Sequence, residues 1–330
     1  MTDGLVNTLA RTKPSVSVCL PVYNGETYIR EAIRSILDQT FDDFELIISD
    51  NASTDRTEEI CREMAARDRH ARYVRSDANR GLTWNHNRAF ELAVGRFVMW
   101  IGHDDVLGSE YLSRCVEVLE RDPQVVLCYA GARHIDENGN VIEQVELQNL
   151  AVARRPSDRF RNTLYEHIGT AIYGLMKRDT LRQTALHRGF IEDDRVLLAE
   201  MALRGRFSLI SEPLFSRRFH SLKTSSRFSN DPRGGMVAFD PANAGKAVFP
   251  EVLKTMGFLS AIKRASLPTG ERHRCYRHLL KWLWTRRKRL RRDLFLELDA
   301  ALQRWLPERQ LDTLRFVKRR FFTRSWAEVS

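Results

Sequence analysis

Four apolar runs separated by amphipathic stretches fill the first hundred residues, and this alternation constrains the fold more than any other feature of the chain. VSVCLPVYN (Val16 to Asn24), FELIIS (Phe44 to Ser49), ARYVR (Ala71 to Arg75) and FVMWI (Phe97 to Ile101) each read as a strand. Unbroken apolar runs of this length suit strands buried on both faces, as in a parallel sheet. Between them the spacing predicts helices. One runs from about Glu26 to Gln39, with Ile29, Ile33, Ile36 and Leu37 at helical intervals. A second starts behind Ser53 or Thr54 as cap and carries Glu58 and Glu59 in its first turn. A third passes through Trp84, Asn85, Phe90 and Leu92. Strand–helix alternation specifies a sheet with helices on both faces, an α/β fold.

Further on the pattern turns mixed. A helix is predicted over Ser109 to Arg121 and a buried strand over Val125 to Gly131, and Asn138-Gly139 marks a hairpin. Ile172 to Met176 reads as a strand, Asp193 to Arg204 as a helix, and FSLI and PLFSRRF as two closing strands. Residues 1–13 read as a disordered leader, 14–230 as the main domain, 231–246 as a linker and 247–330 as a basic, amphipathic helical region. The polar stretch Ser221 to Gly235, which contains Gly234-Gly235, suits a lid that orders over a ligand.

Chemistry gathers at the strand ends. FVMWI breaks at Gly102-His103 and stops on Asp104-Asp105, at the rim where open α/β sheets bind ligands. Two adjacent carboxylates repel each other and resist desolvation unless a positive charge neutralises them. A hard divalent cation carrying a ligand phosphate meets that need. The plainer alternative is a solvated acidic turn. Pro21-Val22-Tyr23-Asn24, Asp50 and Asn79-Arg80-Gly81 also fall at strand ends, and Glu192-Asp193-Asp194 opens a helix. Taken singly, these are helix caps, surface charges or acids favoured by a helix dipole.

In this order, over about Ser15 to Ser225, these motifs resemble the family 2 glycosyltransferases. The resemblance implies the GT-A fold, a Rossmann-like mixed sheet flanked by helices, here with a C-terminal helical extension. It implies that Pro21, Val22 and Asn24 border the base of a nucleotide-sugar donor, with Asp50 on the uracil and Arg80 near the base and phosphates. It places Asp104 by the ribose and Asp105 on a Mn²⁺ or Mg²⁺ ion, as parts of a DXD-type motif in which His103 stands where many members carry Asp. His220 matches a position that reaches the metal or diphosphate, and a surface histidine is its plain alternative. Asp194 matches the catalytic base, by its distance from Gly205, with Asp193 one residue away as the other choice. Elementary chemistry agrees with inverting transfer. A diphosphate leaves with negative charge that a cation stabilises, and the acceptor alcohol needs a carboxylate to take its proton.

Two other classes are weaker. A metal-dependent nucleotidyltransferase would carry a Gly-rich basic loop after the first strand, which Pro21 to Gly25 does not contain. A basic nucleic-acid-binding protein would need a readout module, and no zinc-finger or RRM-like signature is present. The net charge of +10 does invite that question, but Glu271 to Ser330 holds 17 Lys/Arg against 7 Asp/Glu, a surplus of 10, so the first 270 residues are neutral on balance. In that tail Leu279, Leu280, Leu283, Leu290, Leu294, Leu298, Leu302 and Trp305 form a stripe around Arg286 to Arg292, with Trp282, Trp284, Phe321, Phe322 and Trp326 interleaved. This suits either an anionic membrane surface, as a lipid-linked acceptor would require, or packing on the main domain or a twin subunit in a homodimer. Five scattered cysteines without a CxxC pair indicate neither zinc nor a disulfide framework. The N-terminus lacks a signal-peptide core and no run reaches the ~20 apolar residues of a membrane span, so cytoplasmic residence is expected, peripheral at the membrane's inner face if the tail docks.

Overall fold

The computed structural model describes residues 13–145, 151–166, 169–220 and 231–305. Of the expected lid, Ser221 to Gly235, residues 221–230 lie outside the described residues, as do the leader before residue 13 and the tail after Trp305 with Phe321, Phe322 and Trp326, while residues 232–235 belong to a helix. Strand β1 (Val16–Val22) pairs in parallel with β2 (Phe44–Asp50) on one side and β4 (Phe97–Trp100) on the other, and β2 pairs in parallel with β3 (Ala71–Arg75). Helices α1 (Ile29–Leu37), α2 (Thr57–Arg67) and α3 (Leu82–Leu92) make the crossovers. Beyond β4 the direction changes. The sheet continues through β8 (Leu175–Lys177), β6 (Val125–Ile135) and β9 (Arg206–Arg218) to β5 (Val106–Leu107), with β7 (Val141–Val145) paired to β6. The β4–β8, β8–β6, β6–β7 and β9–β5 pairings are antiparallel, so the sheet is mixed.

Alternate residues of the central strands feed two cores. Val16, Val18 and Leu20 of β1 and Phe97 and Met99 of β4 pack under α1, α2 and α4 (Tyr111–Arg121). Cys19, Val98 and Trp100 face the other way, towards α3 and α7 (Asp193–Arg204). Both faces of the sheet are therefore covered, which is why the sequence shows apolar runs and no alternation.

Several expectations need amending. FSLI and PLFSRRF belong to one strand, β9, whose pairing with β6 breaks between Ile210 and Phe215. Pro213 lies in that gap and has no N–H to give to a ladder. Within Ile172 to Met176, Ala171–Tyr173 form a 3₁₀ turn and only the end enters β8. Residues 231–246, expected as a linker, contain helix α8 (Pro232–Phe239). Pro232 starts it, and the Asp231 side chain caps it by accepting from Gly234 N at 2.9 Å.

The C-terminal helices α9 (Pro250–Arg264) and α10 (Thr269–Trp305) pack onto α7 and α5 (Pro156–Tyr165). A third apolar cluster forms there, with Phe160, Val196, Phe258 and Trp282 at its centre. The ring of Phe258 meets the edge of Trp282 at 5.4 Å and that of Phe160 at 6.0 Å. The packed reading of the stripe thus holds for one face of α10, that of Cys275, Leu279 and Trp282. Leu280 and Trp284 point outward, 66% and 70% exposed. Among the described residues no helix is long and apolar enough to cross a membrane.

Candidate active site

The parallel register fixes which residues share a rim. Val22 lies opposite Asp50 and Cys19 opposite Trp100, so the chain emerges from β1, β2 and β4 side by side. Asn24 takes a left-handed conformation (φ 52°) that Asn tolerates better than most residues. Its Oδ1 accepts from Thr54 N at 2.8 Å, and its own N–H donates to Ser53 Oγ at 3.0 Å, which ties the first two loops together. Pro21 and Val22 are buried, so at this rim they shape the backbone more than they present side chains.

Asp50 is also buried. Its Oδ1 accepts from Ser53 N (2.9 Å) and Ser53 Oγ (2.6 Å), and its Oδ2 from Tyr73 Oη (2.6 Å) and Arg75 Nη1 (2.7 Å). Burial, and then that bond to Asp50, push the Tyr73 phenol well up. Arg80 is half exposed, donates to Asp77 at 2.8 Å and stacks over the Trp84 ring at 5.0 Å. Its loop hangs from Asn51, whose amide bonds Asn79 Oδ1 (2.8 Å), Gly81 O (3.1 Å) and Arg80 N (3.0 Å). Gly81 has φ 88°, and a Cβ there would lie 2.6 Å from the Phe239 carbonyl oxygen of α8, so only glycine fits.

Asp104 and Asp105 stand at the centre of the rim. His220 Nε2 lies 2.9 Å from Asp104 Oδ2. Asp105 Oδ1 accepts from Arg218 N at 3.0 Å. The buried Arg218 guanidinium donates to Asp104 O (3.0 Å), Asp136 O (3.1 Å), Glu137 O (3.3 Å) and the Glu31 carboxylate (2.6 Å). His103 turns aside onto Gly25, where a Cβ would meet its ring at 2.7 Å. The structure therefore brings His220 to Asp104, beside the carboxylate that the family resemblance puts on the metal.

Among the described residues no group of three or more His, Cys, Asp or Glu side chains forms a closed metal cluster. The donor set nevertheless fits a hard cation that takes most of its ligands from a diphosphate and water. A Cβ at Gly102 would sit 2.7 Å from Asp104 Oδ1 and 2.8 Å from Asp105 Oδ2, so both carboxylates crowd the space that this glycine leaves.

The two acids that open α7 point different ways. Asp193 is buried. Its Oδ1 meets His187 Nδ1 at 3.0 Å, and its Oδ2 accepts from Arg188 N (2.7 Å) and Gly189 N (3.1 Å). Burial works to raise its pKa, but His187 and the two amides outweigh it and hold the carboxyl low. Asp194 is only half-buried. Burial raises the Tyr173 phenol first, followed by the charge of Asp105, with Asp104 and Asp194 acting in the same direction against Arg217. All three carboxylates therefore act on one side chain.

The family profile described as Glycosyl transferase family 2 matches residues 17–183. The chain belongs to that family. The putative glycosyltransferase EpsH of Bacillus subtilis is 26% identical over 219 residues, covering 66% of this chain and 59% of its own length. The putative teichuronic acid biosynthesis glycosyltransferase TuaG of the same organism is 36% identical over 107 residues, 32% of this chain and 42% of its own. The chain thus spans about half the length of the curated relatives it matches, from 42% to 59% in these two. In fold it is similar to residues 1–349 of S. aureus TarS, with a TM-score of 0.57 at 17% identity, over 83% of this chain and 72% of that one. That fragment has also been crystallised with UDP. The fold is the GT-A arrangement expected from the sequence. Family 2 enzymes characteristically use a divalent cation.

Several residues that organise this site escape a sequence reading. Arg218 sits in an exposed-looking Arg217-Arg218 pair, and Asn51 and Asn85 look like ordinary loop and helix residues. The Asn85 amide joins Ser49 O (2.7 Å) to Val22 O (3.3 Å). Only the pairing of distant strands reveals these roles.

Proposed function

We propose that this chain is an inverting glycosyltransferase that moves a sugar from a nucleotide-diphosphate donor, a UDP-sugar first of all, to an acceptor hydroxyl in polysaccharide or glycolipid assembly. One observation carries the reading. Asp194 opens α7 half-buried, and α7 packs against the turn Ala171–Tyr173, while its neighbour Asp193 is tied inward. Family membership, the TuaG relative and the UDP complex of the TarS fold support the donor and product classes.

Pro21, Val22 and Asn24 shape the nucleotide pocket with Asp50 and Arg80, and Asp104 lies towards the ribose. A Mn²⁺ or Mg²⁺ ion held by Asp105, with Asp104 and His220 adjoining, would offset charge on the departing diphosphate. Asp194 accepts the proton of the acceptor hydroxyl as that oxygen attacks the anomeric carbon. Attack opposite the leaving group inverts the configuration and needs no enzymic nucleophile. The acceptor is a saccharide or a lipid-linked one. In the second case the outward face of α10 meets an anionic membrane surface on the cytoplasmic side: Arg277, Leu280, Lys281, Trp284, Lys288 and Arg291 are exposed along one stripe. A homodimer contact is the competing use of that face.

The test is UDP release from a panel of UDP-, GDP- and dTDP-sugars with Mn²⁺ or Mg²⁺, with product configuration read by NMR. Retention of configuration, or no turnover of any sugar nucleotide, defeats the reading.

A further inference from the structure

Glu192, the residue before the two acids of α7, adopts φ 64° and ψ 28°, a left-handed conformation that side chains other than glycine and asparagine seldom take. Such a residue stays there only when its surroundings over-determine it. The surroundings here come from the C-terminal helices. Lys254 of α9, only 2% exposed, donates from Nζ to the Glu192 carboxylate and, at 3.1 Å, to Glu251 Oε1. Arg195 adds a contact to Glu192 at 3.6 Å. Behind Lys254, Asp293 of α10 accepts from Glu251 N at 2.7 Å and so pins the start of α9. Helices α9 and α7 touch closely: a Cβ at Gly257 would lie 2.9 Å from Val196. The backbone of Glu192 in turn sets the first turn, since Arg195 N donates to Glu192 O at 3.2 Å.

We infer that Lys254 is a positioning residue for Asp194: by gripping the Glu192 side chain it holds residue 192 in its left-handed conformation and so aims the carboxylate two residues on. The inference rests on the reading of Asp194 as the base. It gives α9, which lies wholly beyond the family-matched residues 17–183, a part in transfer. Without the grip, Glu192 relaxes to an ordinary conformation and the first turn of α7 rotates. A displacement of about 1 Å at a reacting group can cost about 10²-fold in rate.

The test compares Lys254→Met, Glu192→Gln and Glu192→Gly in the full chain. Donor binding is read as UDP affinity with Mn²⁺ by calorimetry, and kcat as UDP release from whichever sugar nucleotide the wild type turns over. Lys254→Met and Glu192→Gln should each lower kcat about 10- to 100-fold with UDP affinity unchanged. Both should also speed amide exchange at the start of α7. Glu192→Gly, which takes the left-handed conformation freely, should keep most of the activity and should restore much of what Lys254→Met loses. If Lys254→Met does not fold, the contrast between Gln and Gly at residue 192 decides alone. Wild-type kcat in Glu192→Gln, or equal loss in the Gln and Gly variants, overturns the inference. Activity retained in Asp194→Asn would instead defeat the base assignment, so the two failures are distinguishable.

Discussion

His187 Nδ1 and Asp193 Oδ1 stand 3.0 Å apart inside the protein, and this contact separates the two acids at the head of α7. Asp193 is committed to the turn that carries His187, whereas Asp194 stays half-buried at the head of α7, its Oδ1 accepting from Arg195 N at 2.9 Å. Asp194→Asn is therefore expected to lower kcat by about 10²- to 10⁴-fold with UDP binding intact. Asp193→Asn should chiefly unfold the protein, since breaking a buried charge pair costs about 3–5 kcal/mol. Steady-state rates and melting temperatures of both variants check this, and a stable, inactive Asp193→Asn beside an active Asp194→Asn would reverse the roles.

Stability on the acid side should depend on His86. Burial, and then the charge of His187, push its pKa down to about 3. An unfolded histidine titrates near ~6.5, so as pH falls through that value the unfolded chain binds a proton that the folded one refuses, and stability drops. His187 acts oppositely. Burial lowers its pKa, yet Asp193 outweighs burial and leaves it raised, so its contribution is full below ~6.5 and fades as pH climbs through the folded value. His86→Gln should flatten the fall of melting temperature on acidification from neutral pH, and His187→Gln should steepen it. Parallel curves for all three proteins would remove the histidines from the account.

UDP should raise the melting temperature only when Mn²⁺ or Mg²⁺ is present, because Asp104 and Asp105 otherwise oppose a diphosphate. At a hundredfold excess over Kd the linkage is worth about 2.7 kcal/mol. A thermal shift that survives EDTA would show that the acidic rim binds the donor without a cation.

Trp282 and Trp284 should separate the two faces of α10. Trp282→Ala opens the third apolar cluster and should cost about 3–5 kcal/mol. Trp284→Ala should change stability by no more than about 0.5 kcal/mol but weaken sedimentation with anionic liposomes. Replacing Lys281 and Lys288 by Gln should add to that loss, at about 1 kcal/mol per charge near an anionic leaflet. If the liposome signal is absent from the wild type and a dimer forms instead, the outward face serves a second subunit.

What could be foreseen follows from what is local. The runs Val16 to Val22 and Phe97 to Trp100 declare buried strands by composition alone, and Asp104-Asp105 follows from its place after one of them. The division between Asp193 and Asp194 was not legible, because it depends on His187 and on two amides of a preceding turn. Nor was the continuity of β9 across Pro213, where the sequence reads as two strands, or the helix at Pro232–Phe239, hidden in a stretch whose composition suggested only a linker. Arg218 could not be singled out from its neighbour Arg217, since its partners lie 81 to 187 residues away in sequence.

Those partners include the carbonyls of Asp136 and Glu137, in the exposed turn between β6 and β7. To a protein engineer that hairpin tip looks like a safe place for an epitope tag or an inserted peptide. It is not, because the guanidinium that reads those carbonyls also supports the backbone of Asp104. A graft at residues 136–140 would be transmitted to the acidic rim through one side chain, so tags are better placed elsewhere.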